Sequence, residues 1–396
     1  MSTDEPTTRF DEVDWDEITS GRDRTLSPNL KGAAVVLGAI SALILYDVFI
    51  VPADDSTFGA VGWYYDVTGI DWLFAISIVL FGFYGVLPLY QNARMTRYYW
   101  REFRKNRPAM VSLVFLGIIF VGGLLGPVFM APPEVQLYRQ YQPPVGFEIS
   151  QQYIVNCAGS VVNGACQGTW QYPFGTTGDG RGVFTMIVYG MQITMKITFI
   201  ATLLVITIGT AVGTVSAYMG GLVDEVLMRY VDIQQSFPTL ILYLLVLYIY
   251  GGNLALFILL FGFFAWEGTA RYVRSNALAK TEEEYIKAVQ LSGASTYRII
   301  RRHIIPNTAS SIITDLTLLI PVFLLFEAQL AFLGLSAPGT PSWGNLIADG
   351  RADLASAPWI TLIPGTVLTF TILAFNFLGD AVLDAIDPEA QAEVER

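Results

Sequence analysis

Eight apolar runs of roughly membrane-spanning length punctuate this chain, and they leave few folds open to it. They lie at about 33–52, 72–90, 109–130, 194–218, 237–251, 253–270, 309–335 and 359–378. About 20 apolar residues match the hydrocarbon thickness of a bilayer. Within that layer each backbone polar group must find its partner in the chain, so the runs are expected to be helices. The expected fold is therefore an all-α polytopic membrane protein with eight spans. The fifth run is short and begins near Pro238, so its limits are the least defined. Composition agrees, with 53% hydrophobic and 14% charged residues and a mean hydropathy of +0.49, values that exclude an ordinary soluble domain. The first 32 residues are polar and acidic, and the first run is too late and too long for the core of a cleavable signal peptide.

Lysine and arginine orient the spans. With the N-terminus in the cytoplasm, the segments 1–32, 91–108, 219–236, 271–308 and 379–396 face that side and hold 19 of the 23 basic residues. The opposite orientation places them outside, against the positive-inside rule. Arg94, Arg97, Arg101, Arg104, Lys105 and Arg107 form the strongest anchor, and Arg271 and Arg274 read as further snorkelling anchors. Both termini are then cytoplasmic, with 1–32 and 389–396 as tails. The net charge of −11 with only five lysines fits a high-salt cytoplasm, and acidic tails of an ordinary cell fit as well. The basic residues cluster beside spans and form no basic domain, so nucleic acid is not an expected partner.

The polar island 281–307, TEEEYIKAVQLSGASTYRIIRRHIIPN, carries organised helix signals. Thr281 and Glu284 have the capping-box spacing. Tyr285, Ala288, Val289 and Ser292 share a helical face. Gly293 can close that helix in a left-handed conformation. Ser295 or Thr296 can start a second helix bearing Arg298, Arg301 and Arg302, and Pro306 is expected to stop it. A helix, a break and a basic helix at a membrane surface suit docking of a soluble partner.

Several chemistries are absent. None of the five lysines follows a glycine, so there is no phosphate-cradling Gly-Lys-Ser/Thr loop. The one histidine, His303, lies in the polar island, which excludes a histidine-based triad in the membrane. Cys157 and Cys166, in the long non-cytoplasmic segment 131–193, are spaced for a disulfide that closes a small hairpin, or for two packed thiols. No histidine joins them, so zinc is not expected. Ionisable residues within spans are costly and face protein or water. Glu327 is the clearest, either lining a path or locking helices, and Asp315, Glu267 and Asp47 are others. Trp343 and Trp359 suit a membrane interface.

The segment from Tyr285 to Asn307 resembles the EAA loop of ABC-importer membrane subunits. Lys287-Ala288-Val289, Gly293, His303, Ile305 and Pro306 fall on its pattern, with Ala288, Gly293 and Pro306 as strict matches. YIKAVQLSGAS followed by RRHIIPN is similar to the dipeptide/oligopeptide and nickel permease branch. Residues 100–117, 172–194, 218–242, 332–351 and 364–388 also resemble that branch, with Phe174 and Thr177 departing from it, so the likeness covers about 97–388 and points to the C-type subunit. The resemblance implies a six-helix permease core over 97–388, preceded by two extra transmembrane helices within 33–96. It implies that Tyr285, Ala288, Gly293, Ala294, Arg298, His303, Pro306 and Asn307 form a helix that couples to an ATPase. It further implies a homologous permease partner, two ABC ATPase subunits that hold the ATP and Mg, and an extracytoplasmic binding protein touching Asp179, Arg181 and Trp343. No catalytic residue, metal or cofactor is expected in this chain. The implied cargo is a peptide, with nickel or an oligosaccharide as alternatives. An ATP-independent secondary transporter would instead call for inverted repeats or more buried charge.

Overall fold

A computed structural model describes residues 28–52, 57–59, 67–336 and 339–386. Most of the acidic N-terminal tail and all of the 389–396 tail lie outside them. The described chain is almost entirely helical, and its spans follow the apolar runs. Among the described residues seven helices are long and apolar enough to cross a membrane, or eight if a bent pair is taken as one span.

Two units can be recognised, residues 1–66 with 78–91 and residues 67–77 with 92–396. In the first, α1 (Pro28–Phe49) meets the second half of α2 (Gly69–Gln91). Gly32 lies against the Phe83 ring, and Asn29 and Gln91 exchange two side-chain hydrogen bonds of 3.0 and 2.6 Å. Asp47, the acid within the first apolar run, accepts a 2.5 Å hydrogen bond from Thr57.

After residues 67–77, the second unit continues with the basic helix α3 (Ala93–Phe103). Asn106 then caps α4 (Arg107–Phe129), accepting from the Ala109 amide at 3.1 Å, with Pro108 in the first turn where its missing N–H costs nothing. A small lobe follows, with a three-stranded antiparallel sheet of order β1-β3-β2 from β1 (Glu148–Ser150), β2 (Val161–Val162) and β3 (Ala165–Gln167). The central strand places Cys166 opposite both Ile149 and Val161, fully buried, and the Cys157–Cys166 disulfide closes the lobe.

Helix α5 (Val183–Met219) has 37 residues, several turns more than a bilayer needs. It begins eleven residues before the apolar run, because its early turns bury Val183, Met186 and Ile187 in the lobe's core with Ile149, Cys166, Trp359 and Ile360. The fifth run is not a straight span. Helices α6 (Gly221–Ser236) and α7 (Thr239–Tyr250) are bent by 71°, at Pro238, which cannot donate to the preceding turn. Helix α8 (Leu254–Phe264) continues into α9 (Glu267–Thr281), so the sixth helical column outruns its apolar run by about three turns. Gly213 lets α5 and α9 touch, since a Cβ there would lie 2.5 Å from the Ala270 carbonyl oxygen. The core ends with α10 (Glu284–Leu291), α11 (residues 296–307, opened by a helical turn and widened by a π turn over Ile300–Ile304), α12 (Ala309–Phe332), α13 (Trp343–Gly350) and α14 (Trp359–Ile386).

Candidate functional site

The polar island folds as a helix, a break and a second helix, with three corrections to its details. The expected capping box does not form. Thr281 ends α9 with its hydroxyl on the Leu278 carbonyl at 2.8 Å, and Glu283 is the N-cap of α10 while its carboxylate meets Lys280 at 2.9 Å. Tertiary contact extends α9 through the place where the local signal starts a new helix. Gly293 behaves as expected, with φ +80°. The Gly293 and Ala294 amides close back on Gln290 and Val289. Pro306 does not stop the second helix. It follows the π turn and is carried in the last turn, Ile305–Asn307, before Thr308 leads into α12.

The third correction concerns the faces. Ile286, Ile299 and Ile304 are the fully buried residues, packed with Ala217 and Ala277 at the ends of α5 and α9, and Val289 and Ala294 support them. Tyr285, Ala288 and Ser292 face outward with Lys287, Gly293, Tyr297, Arg298, Arg301 and Arg302. Leu291 is 89% exposed beside Gly293. One leucine in an amphipathic stretch carries no signal of its own, and only the burial of its neighbours singles it out. Three of the named residues converge: Asn307 donates to the Tyr285 hydroxyl at 3.0 Å, and the His303 ring lies 6.3 Å from that of Tyr285. They tie the end of the segment to its start. Arg301 folds over Tyr297, and Gln290 reaches the Tyr218 hydroxyl at the end of α5 at 3.3 Å.

Arg271 and Arg274 are not free anchors. Arg274 grips Asp224 of α6 with two 2.5 Å hydrogen bonds, and Ser216 also donates to that carboxylate. Arg271 pairs with Asp232, about two turns further along α6, and Tyr230 stacks on Trp266. A bidentate arginine–carboxylate pair fixes orientation as well as charge. Helix α6 is thereby fastened to α9, the helix that runs directly into the segment.

Glu327 is buried at the other end of α12. It accepts from the Ser342 hydroxyl, and a Cβ on Gly344 would stand 3.2 Å from its Oε2. Its carboxylate therefore lies against the first turn of α13. The contact joins α12 to the start of α13. The other span acids are also engaged, Asp315 by Thr269 at 2.5 Å and Glu267 by Gln234 at 3.3 Å.

The two tryptophans are interior rather than interfacial. Trp343 is 2% exposed and donates to the Ile187 carbonyl at 3.1 Å, and Trp359 donates to that of Thr176 at 3.2 Å. Trp343 therefore offers no surface to a partner. Asp179 and Arg181 pair with each other at 2.6 Å, and Arg181 also reaches the Gly339 carbonyl at 3.4 Å. Burial pushes the Asp179 carboxyl up, but the hydrogen bonds from Arg181 and Thr177 outweigh it and hold the group below the usual carboxylate range. Tyr141 donates to Asp353 at 3.3 Å, and burial together with that negative charge raises its phenol. Among the described residues no cluster could hold a metal ion.

Comparison with known proteins gives two family matches. Residues 206–391 match the binding-protein-dependent transport system inner membrane component, and residues 94–144 match the N-terminal TM domain of oligopeptide transport permease C. The oligopeptide transport system permease protein OppC of Haemophilus influenzae is 31% identical over 302 residues, covering 76% of this chain and 89% of that protein. The dipeptide transport system permease protein DppC of Bacillus subtilis is 34% identical over 295 residues, 73% of this chain and 84% of its own. The glutathione transport system permease protein GsiD of Escherichia coli is 32% identical over 292 residues, 74% and 89% respectively.

Proposed function

This chain belongs to the OppC/DppC-type family of binding-protein-dependent ABC permeases, and we propose that it forms half of an import pathway for peptides. As a multi-pass inner-membrane transport subunit it is not itself an enzyme, and its family calls for no cofactor. In the proposed assembly a homologous permease supplies the other half, two ABC ATPase subunits hydrolyse the ATP, and a binding protein outside the membrane delivers the cargo. Both termini and residues 282–307 face the cytoplasm, and the disulfide-bonded lobe faces outward, where an oxidised pair persists. The chain then divides into an acidic tail over 1–32, two added helices within 33–96, a permease core over 97–388 and a tail over 389–396. Relatives named for oligopeptides, dipeptides and glutathione support a peptide cargo.

One observation carries the coupling role. The helix–break–helix segment buries Ile286, Ile299 and Ile304 completely yet presents Tyr285, Ala288, Leu291, Gly293, Tyr297, Arg298 and Arg301 outward. A monomer gains nothing by leaving Leu291 so bare at a glycine-marked break. A groove on an ATPase subunit that accepts a small-residue helix end with an apolar tip and basic flanks explains it. In this reading ATP-driven closure of the ATPase pair moves α10 and α11. The movement passes to α9 and α5 through the Ile286–Ile299–Ile304 contact, and to α6 through the Asp224–Arg274 and Asp232–Arg271 pairs. Asp179 and Arg181 remain proposed for binding-protein contact, through the part of their surface that their mutual pair leaves free.

The test replaces Gly293 with Leu and, separately, Leu291 with Asp, in the full complex reconstituted in vesicles. A Cβ at Gly293 meets nothing within 4 Å in this chain, so the substitution carries only the backbone strain of φ +80°, about 1 kcal/mol. Peptide uptake and substrate-stimulated ATP hydrolysis should each fall more than tenfold, while unfolding of the isolated chain changes little. Undiminished uptake in both variants would remove the coupling assignment.

A further inference from the structure

The two leading helices have no part in the transport reading above, yet one of them enters the core. Residues 67–77 belong to the core unit, while 78–91 belong to the other. In that first stretch of α2, Trp72, Phe74 and Ser77 are buried. Across from it lies Lys196 of α5, 7% exposed and the one charged residue among Met195, Ile197, Ile200 and the buried threonines Thr194 and Thr198. Its ammonium meets Asp71 Oδ1 at 2.6 Å, with only 9% of the lysine side chain and 15% of the aspartate side chain exposed. Asp71 Oδ2 accepts from the Thr68 amide at 2.9 Å and the Thr68 hydroxyl at 2.7 Å, so both carboxylate oxygens are used. Among the described residues no other carboxylate stands within ion-pair distance of Lys196. One turn along each helix, Phe74 meets Phe199 edge-on at 5.9 Å. Phe199 in turn meets Phe120 of α4 at 5.7 Å, and Phe120 meets Phe375 of α14 at 6.2 Å. The i, i+3 spacing of Asp71 with Phe74 and of Lys196 with Phe199 makes these two contacts a single seam.

A buried ammonium at membrane depth is tolerated only with a partner, and removing one member of a buried pair leaves the other uncompensated. We infer that the second leading helix is a working part of the permease core, with Asp71 as the positioning counter-ion that lets α5 carry Lys196. The seam holds the lobe-side half of α5. The opposite half of α5 packs on α9 at Gly213 and touches the helix–break–helix segment through Tyr218 and Gln290. Helix α5 is therefore anchored at one end by α2 and contacted at the other by the segment proposed to receive ATP-driven movement. The counter-ion assignment itself does not depend on that proposal.

The experiment uses the full-length chain in detergent, with Asp71→Asn, Asp71→Glu, Lys196→Met and the double variant Asp71→Asn/Lys196→Met. Two quantities are read, the thermal unfolding midpoint and the rate at which a membrane-permeant succinimidyl ester acylates Lys196, followed by peptide mass spectrometry. Asp71→Asn should lower the midpoint by several degrees and raise Lys196 acylation at least tenfold. Asp71→Glu should stay near the wild type in both. The double variant should recover most of the lost midpoint, since it no longer buries a lone charge. If Asp71→Asn yields no folded protein, folded double variant supports the pair and failure of the double variant overturns it. Equal acylation of Lys196 in wild type and Asp71→Asn also overturns it, because a lysine without a dependent partner loses nothing when Asp71 is neutralised.

Discussion

The disulfide-bonded lobe and the helix–break–helix segment solve opposite problems. The lobe is closed by contacts within this chain. A covalent bond closes it, Asp179 and Arg181 pair, and both tryptophan N–H groups end on backbone carbonyls. The segment at residues 282–307 keeps three isoleucines inward and turns Tyr285, Ala288, Leu291 and Arg298 outward, with Leu291 89% exposed. Small elements that cannot bury much apolar surface need a cross-link or a partner. The lobe uses the first, and the proposed coupling role gives the segment the second.

That contrast can be broken at graded cost. Ile286→Ala should have the largest effect on stability, about 2–4 kcal/mol, because it empties a fully buried position where the segment meets α5 and α9. Chemical unfolding of the full-length chain measures it. A loss under about 0.5 kcal/mol, the scale of an ordinary surface change, would mean that the segment is held by something other than this contact. Replacing Cys157 and Cys166 together with serine should cost the lobe about 2–3 kcal/mol, from the loop closed by the bond. Limited proteolysis should then cut residues 145–170 first and leave 282–307 as resistant as before. If both regions loosen together, they are not independent.

Arg181→Gln is the smallest change, about 1 kcal/mol at neutral pH, and it carries a pH signature. Asp179 titrates below its unfolded value of about 3.9. The pair's stabilisation is therefore fully present above about pH 4 and is lost as pH falls through the lower folded value. Wild type and Arg181→Gln should differ at pH 7 and converge in strong acid. A difference that persists once the Asp179 carboxyl is protonated would argue against the ion pair as its source.

Much of this protein was legible residue by residue. The apolar runs name the spans, because a bilayer demands length and hydrophobicity from contiguous sequence. Gly293 announces its break, because a left-handed residue is a local matter. The family motifs around Ala288, Gly293 and Pro306 locate the segment. Other features were misread for a common reason. Thr281 looked like a cap, but α9 gains more by continuing against α5 than by stopping. Trp343 and Trp359 looked interfacial, because an indole suits both a membrane surface and a core with a carbonyl to spare. Arg271 and Arg274 looked like anchors until α6 brought Asp232 and Asp224 to them.

Sequence alone determined the class of fold, the approximate spans, the missing nucleotide loop and the place of the helix–break–helix segment, since each depends on neighbours along the chain. Tertiary structure alone decided that the fifth run bends by 71°, that Glu327 meets Ser342 at the start of α13, and that Lys196 meets Asp71 of a leading helix. These depend on which buried group meets which, and the low dielectric that makes an unpaired buried charge so costly acts through space, without regard to distance along the sequence.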